Sequence, residues 1–197
     1  MRGKLILIIG STGSGKGTLM KHAIERYPEV LTPKSYTSRP RRSDAVENAH
    51  YTFVTREEFQ AMIERGEFLE WAEFSGNYYG TRRADIEQGL AEGNVMFKEM
   101  EVQGVRQARK LLQKNELITV FIDAGSWEEL SRRALAREHM DEATLEKRRL
   151  RFEDERTFML EADVVIENHT GKQAEAMAAF ETVIAKAIED THHDYYD

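Results

Sequence analysis

Apolar residues run unbroken over 5–9, Leu-Ile-Leu-Ile-Ile, and glycine closes the run at once. A stretch this short, this β-branched and bounded this way predicts a buried strand. Further apolar runs at 94–98, 117–122 and 164–167 predict three more. Between them the apolar spacing becomes helical, over 19–27, 82–92, 102–114, 126–137, 142–160 and 172–190. Strands that alternate with helices predict an α/β fold, a parallel sheet flanked by helices on both faces.

The rhythm breaks after residue 34. Short strand patterns at 51–54 and 68–74 surround a short helical pattern at 56–65, and the pair Gly76-Asn77 reads as a turn ahead of Tyr78, Tyr79 and Gly80. A subdomain inserted at about 35–81 is expected, with the core made of 1–34 and 82–190. A small lid is expected at about 137–148, where a polar, charge-dense stretch separates two helices. Residues 191–197 are expected to form a tail.

The connection after the first strand carries the clearest chemistry. Residues 10–18 read Gly-Ser-Thr-Gly-Ser-Gly-Lys-Gly-Thr, between a predicted strand and a predicted helix. Glycines let successive backbone N–H groups turn inward toward an anion, and the helix N-terminus adds partial positive charge. Gly10, Gly15 and Lys16 match the spacing of a P-loop, in which the lysine reaches the outer phosphates of a nucleotide. Position 17 is glycine where that pattern has a hydroxyl, and the hydroxyl arrives one residue later at Thr18.

Composition narrows the partners. The 197-residue chain carries a formal net charge of -7, which argues against a general grip on nucleic acid. Arginines nevertheless cluster at 39–42, 132–137 and 148–151, which suits small phosphorylated ligands. Without cysteine there is no thiol nucleophile, thiolate metal site or disulfide framework. The predicted first strand begins so near residue 1 that no signal peptide is expected, and no apolar run approaches a membrane span. A cytoplasmic protein with no membrane partner is expected.

Other residues gain meaning beside the loop. Pro40 biases Arg39 to extended backbone, so Arg39 and Arg42 are free to converge on one phosphate as charge-assisted forks, joined by the hydroxyls of Tyr51 and Tyr79. A solvated basic loop is the plainer alternative. Glu70 stands in the apolar stretch Phe68-Leu69-Glu70-Trp71-Ala72. An ionised carboxylate accepts hydrogen bonds only, which suits the adjacent N1 and N2 donors of guanine, although the outward face of an alternating strand explains it equally well. Glu99 and Glu101 end the second apolar run, where ligands bind in parallel sheets and where carboxylates suit magnesium; glutamates at a helix N-terminus are the alternative. Arg149 and Arg151 are explained by helix pairs with Glu153 and Glu155. Arg133 and Arg137, one turn apart beside the lid, are not.

With these pieces in order, the chain resembles the guanylate kinase family over nearly its whole length. The resemblance rests on the glycine loop, 35–42, His50-Tyr51-Thr52-Phe53-Val54, Glu70, Gly76-Asn77-Tyr78-Tyr79-Gly80-Thr81, Glu99 and Glu101 followed by Gln103-Gly104, Arg133 and Arg137, and Val164-Val165-Ile166-Glu167-Asn168. It implies a P-loop NTPase-type sheet with an inserted GMP-binding subdomain and a lid, and transfer of the γ-phosphate of ATP to GMP (or dGMP) with magnesium. Carried onto this chain, it implies that Ser11, Thr12, Gly13, Ser14, Gly15, Lys16, Gly17 and Thr18 hold the ATP phosphates, with Asn168 near the adenine. Arg39, Arg42, Tyr51 and Tyr79 would take the GMP phosphate; Ser35, Glu70, Thr81, Glu99 and Glu101 would face GMP. Arg39, Arg133, Arg137 and Arg148 would join Lys16 around the transferring phosphoryl, and Thr18 and Glu99 would serve magnesium through water. The chain departs from the family at Ser11, Gly17 and the pair Glu99 and Glu101, where proline, a hydroxyl residue and two aspartates are usual. Two other readings stay open: a kinase of another phosphorylated acceptor, and an inactive phosphopeptide-binding module. So does assembly into a homo-oligomer.

Overall fold

The computed structural model describes residues 2–43, 48–136 and 140–192. Strand β1 (Lys4–Ile9) shows why its apolar run is continuous. Leu5, Leu7 and Ile9 face one core, with Ile86, Leu90, Val102, Val105, Phe121 and Phe158. Ile6 and Ile8 face another, with Leu19, Phe97, Val120, Ile122, Phe180 and Ile184. A strand buried on both faces has no polar positions to alternate with.

β1 lies inside a four-stranded parallel sheet with β6 (Val95–Glu99), β7 (Leu117–Asp123) and β8 (Val164–Glu167), in the order β6-β1-β7-β8. Helices α1 (Lys16–Arg26) and α7 (Gln173–His192) cover one face; α3 (Arg83–Ala91) and α4 (Val102–Leu111) cover the other. The chain leaves β1 toward β6 and leaves β7 toward β8, so the sheet's connections diverge between β1 and β7. Open α/β sheets bind ligands at the carboxyl side of such a point.

A second sheet of four strands has the order β3-β2-β5-β4 and spans β2 (Ser35–Thr37), β3 (Tyr51–Phe53), β4 (Phe68–Phe74) and β5 (Asn77–Arg82). Its own small core stacks Phe59 of α2 (Arg56–Glu64) on Phe68 at 4.3 Å and on Tyr78 at 5.3 Å between ring centres. The sequence predicts neither β2 nor β5: β2 is three residues long and pairs only with distant segments, and β5, though it forms a hairpin with β4, is interrupted by Gly80 and lacks an alternating apolar pattern. The turn also falls one residue earlier than the Gly76-Asn77 reading: Ser75 (φ 50°) and Gly76 (φ 74°) are its left-handed pair, and Asn77 already begins β5. Two consecutive left-handed residues match the twist of a tight hairpin.

α4 joins the two sheets. It packs on the first sheet, while Gln107 accepts from Trp71 N at 3.2 Å and donates to Trp71 O at 3.3 Å on the outer strand β4. Two further helices complete the described fold: α5 (Trp127–Leu135), capped by Ser126, and α6 (Glu142–Thr157), capped by Asp141. Of the expected lid, 142–148 forms the first turns of α6, and Arg137 with its two successors lies outside the described residues. Of the expected tail, Thr191 and His192 end α7 and the rest lies outside. Among the described residues no helix is long and apolar enough to cross a membrane.

Candidate active site

The loop after β1 curls beneath the N-terminus of α1, which begins at Lys16, three residues earlier than the apolar spacing suggests. Lys16 is buried; its Nζ donates to Gly10 O and, at 3.1 Å, to Ser11 O, and lies 3.4 Å from Glu99 Oε1 at the end of β6. Gly15 is required twice over. Its φ of 94° is left-handed, and a Cβ there would come within 2.2 Å of Asn168 Nδ2. Gly17 is the opposite case: a Cβ there would meet nothing within 4 Å. Ser11 and Ser14 are buried, whereas Thr12 and Thr18 are exposed.

Asn168, expected near an adenine, braces the loop from behind. Its Nδ2 donates to Ser14 O at 2.7 Å and its N to Asp123 O at 2.7 Å. Its own carbonyl accepts from Arg133 Nη1 at 3.0 Å. Arg133 also reaches Glu129 at 2.6 Å and Thr170 Oγ1 at 3.1 Å, so it is held at the connection after β8. Arg148 and Arg151 line a cavity of about 20 Å³ together with Ser11 and Thr12, which sets two arginines of α6 beside the loop. Arg149 and Arg151 make the expected helix pairs, with Glu153 and Glu155 at 3.0 and 3.1 Å. Arg151 has a second partner that helical spacing does not reveal: Nη2 donates to Glu101 before α4.

The second sheet gathers the other candidates. Arg39 is buried, 5.4 Å from the Tyr51 ring, and Tyr51 meets Tyr79 edge-on at 6.1 Å. Arg42 is exposed, its backbone held by Asn48, which accepts from Arg42 N at 3.3 Å and donates to Arg42 O at 2.7 Å. Glu70 pairs with Thr81 across β4 and β5, and Thr81 Oγ1 donates to Glu70 Oε1 at 2.7 Å. Tyr36 pairs with Gly80 across β2 and β5, so the next step of that register sets Ser35 opposite Thr81. Ser35, Thr81 and Glu70 therefore form a row across three strands. Burial holds Glu70 above the usual carboxylate range, against the Thr81 hydrogen bond and the charge of Lys98.

Lys98 is a residue of this site that the sequence reading passes over. It is buried, and its Nζ donates to Pro33 O at 2.8 Å and Ser35 Oγ at 2.7 Å. Burial lowers its pKa to about 8, with Glu70 and Asp85 opposing the shift. The available signal is a lone cation directly after Val95, Met96 and Phe97. Asp123, buried at the end of β7, is a second: it accepts from Gly125 N at 3.0 Å and lies 3.3 Å from His169 Nε2.

The donor set near Lys16 suits a hard cation held together with a substrate. Glu99 is half-exposed, and no three acidic or histidine side chains cluster as a metal cage among the described residues. Magnesium is bound in this way, through one or two carboxylates, water and substrate phosphates.

A family model described as guanylate kinase matches residues 2–187. A guanylate kinase of Thermosynechococcus vestitus is 40% identical over 182 residues, covering 92% of this chain and 93% of that one. Another, of Synechococcus sp. strain JA-3-3Ab, is 40% identical over 173 residues, covering 88% and 79%. The crystal structure of guanylate kinase from Anaplasma phagocytophilum superposes with a TM-score of 0.67 at 22% identity, covering 97% of this chain and 87% of that one, and shares its fold.

Proposed function

The chain belongs to the guanylate kinase family, and on that premise we propose that it transfers the γ-phosphoryl group of ATP to GMP or dGMP, giving ADP and the diphosphate. The observation that carries the acceptor is the row of Ser35, Thr81 and Glu70. A carboxylate fixed by Thr81 accepts from guanine N1 and N2, and adenine offers no such pair of donors.

Lys16 and the amides of 11–18 take the β- and γ-phosphates of ATP. Arg39, Arg42, Tyr51 and Tyr79 take the GMP phosphate as charge-assisted donors. Arg148 and Arg137 supply charge from the lid side, while Arg133 and Asn168 hold the loop and the adenine side. Glu101 sits beside the guanine row and is anchored by Arg151. Thr18 and Glu99 would hold magnesium through water, and the ion would supply positive charge to offset that of the ATP phosphates. The acceptor is already a phosphate, so alignment and charge neutralisation supply most of the acceleration without a protein base. An ADP-release assay across GMP, dGMP, AMP, CMP and UMP tests this. Turnover confined to the guanine nucleotides is expected, and its absence with both overturns the reading.

Two further results are expected. Glu70 must be ionised to accept from guanine, and its pKa is raised. As pH falls through that raised value, kcat/KM for GMP drops, with a midpoint above that of an ordinary glutamate. A pH profile should show this limb, and Glu70→Gln should remove it. Gly17→Ser fits the open space at that position. It should stabilise the first turn of α1 by about 0.5 kcal/mol in urea unfolding and lower the magnesium concentration for half-maximal rate. An unchanged magnesium dependence would dissociate position 17 from the metal.

A further inference from the structure

Lys98 is a costly residue where it stands. Val95, Met96 and Phe97 before it are buried, and Lys98 itself is 8% exposed. A buried ammonium is tolerated only when its protons find acceptors and a negative group lies near. Both conditions hold: Pro33 O and Ser35 Oγ accept at 2.8 and 2.7 Å, and the charge of Glu70 faces it. Pro33 and Ser35 mark the place where the chain passes from the first sheet to the second. The bond therefore ties β6 of one sheet to the beginning of β2 in the other.

The direction of that bond has chemical content. A hydroxyl that accepts from an ammonium turns its own proton away from it, and the ammonium polarises that proton for donation. The register that aligns Ser35, Thr81 and Glu70 sets this donor two strands from a pure acceptor. Guanine has the complementary edge: donors at N1 and N2, and beside them an acceptor at O6. Adenine carries an amino donor at its 6-position. We propose that Lys98 is a positioning residue for base selection, holding the Ser35 hydroxyl as a donor to the 6-oxo group of the acceptor purine. The inference rests on the reading of the second sheet as the GMP site. Lys98 touches no substrate; it acts through Ser35.

The test compares GMP and IMP as acceptors, and AMP as a ligand competing with GMP, for the parent protein, Lys98→Met, Ser35→Ala and the double variant. IMP keeps the 6-oxo group and loses the 2-amino group, so it isolates the contact in question. In Lys98→Met, kcat/KM for GMP and for IMP should fall by about tenfold, the scale of one hydrogen bond, with the inhibition constant for AMP and the KM for ATP unmoved. Ser35→Ala should reproduce that pattern, and the double variant should be no worse than either single one. Lys98→Arg keeps the charge and donors and should recover part of the loss. An equal weakening of 6-oxo acceptors and of AMP inhibition, or additive effects in the double variant, overturns the inference. If Lys98→Met does not fold, Ser35→Ala decides alone: a loss confined to GMP and IMP supports the role of the hydroxyl, and an equal weakening of AMP inhibition overturns it. A parent protein without GMP turnover refutes the functional reading itself; a GMP-active parent with an indifferent Lys98→Met refutes only the role of Lys98.

Discussion

Replacing Lys16 by alanine is expected to lower kcat by about a thousandfold, equivalent to about 4 kcal/mol of transition-state stabilisation. Lys16 is the cation built into the loop itself, and charge spreads over the oxygens of the phosphoryl group as it moves. Its donation to the carbonyls of Gly10 and Ser11 sets its place beneath the loop before any phosphate is considered. The same bonds bound the structural cost of the change, since solvent at the loop can replace a donor to those carbonyls, leaving a loss of about 1 kcal/mol in unfolding. Single-turnover transfer from ATP, measured beside urea unfolding, separates the two. A rate within tenfold of the parent would remove Lys16 from the chemistry.

Glu70→Gln is expected to act on one substrate only. The substitution keeps the shape and turns one acceptor oxygen into a donor that faces the guanine donors. A site built around hydrogen bonds rejects the mismatched partner strongly, so kcat/KM for GMP should fall by about a hundredfold or more, while KM for ATP stays within about threefold. The variant should fold at least as well as the parent, because a buried carboxylate costs more than an amide. Equal losses for GMP and ATP would mean that Glu70 supports the fold and not the base. The outcome also bears on Thr81, whose hydroxyl is committed to Glu70 at 2.7 Å.

The sequence is most legible where structure is local. The strand at 5–9, the glycine loop and the helix after it are consecutive, so their pattern alone specifies strand, turn and helix. β4 is legible for the same reason, since Phe68–Phe74 is bounded by turn residues. β2 is not, because Ser35–Thr37 gains strand geometry only from β3 and β5, both distant in the chain. β5 is obscured for another reason: its hairpin with β4 is local, but Asn77–Arg82 carries no apolar alternation to announce it. The site divides in the same way. Glu70 announces itself as a charge in an apolar stretch. Lys98 ends a run that reads as strand, and its meaning depends on Ser35, 63 residues earlier. Arg151 is hidden differently: its helix pair with Glu155 is genuine, and only one edge of its guanidinium is used by it. The other edge crosses to Glu101, a contact no periodicity encodes.

The amide of Gln107 on the outer strand has a consequence for the protein in a crowded solution. β4 is the free margin of its sheet, and it carries exposed Trp71 and Phe74. Such a margin is a template on which another chain's extended segment can pair and begin an aggregate. Gln107 occupies the backbone N–H and C=O of the middle residue of that strand, as a single residue of a neighbouring strand would. An incoming segment finds its central pair of hydrogen bonds already made and the bulk of α4 in its path. A helix that leads from Glu101 at the site thus also keeps the molecule from joining its own kind edge to edge.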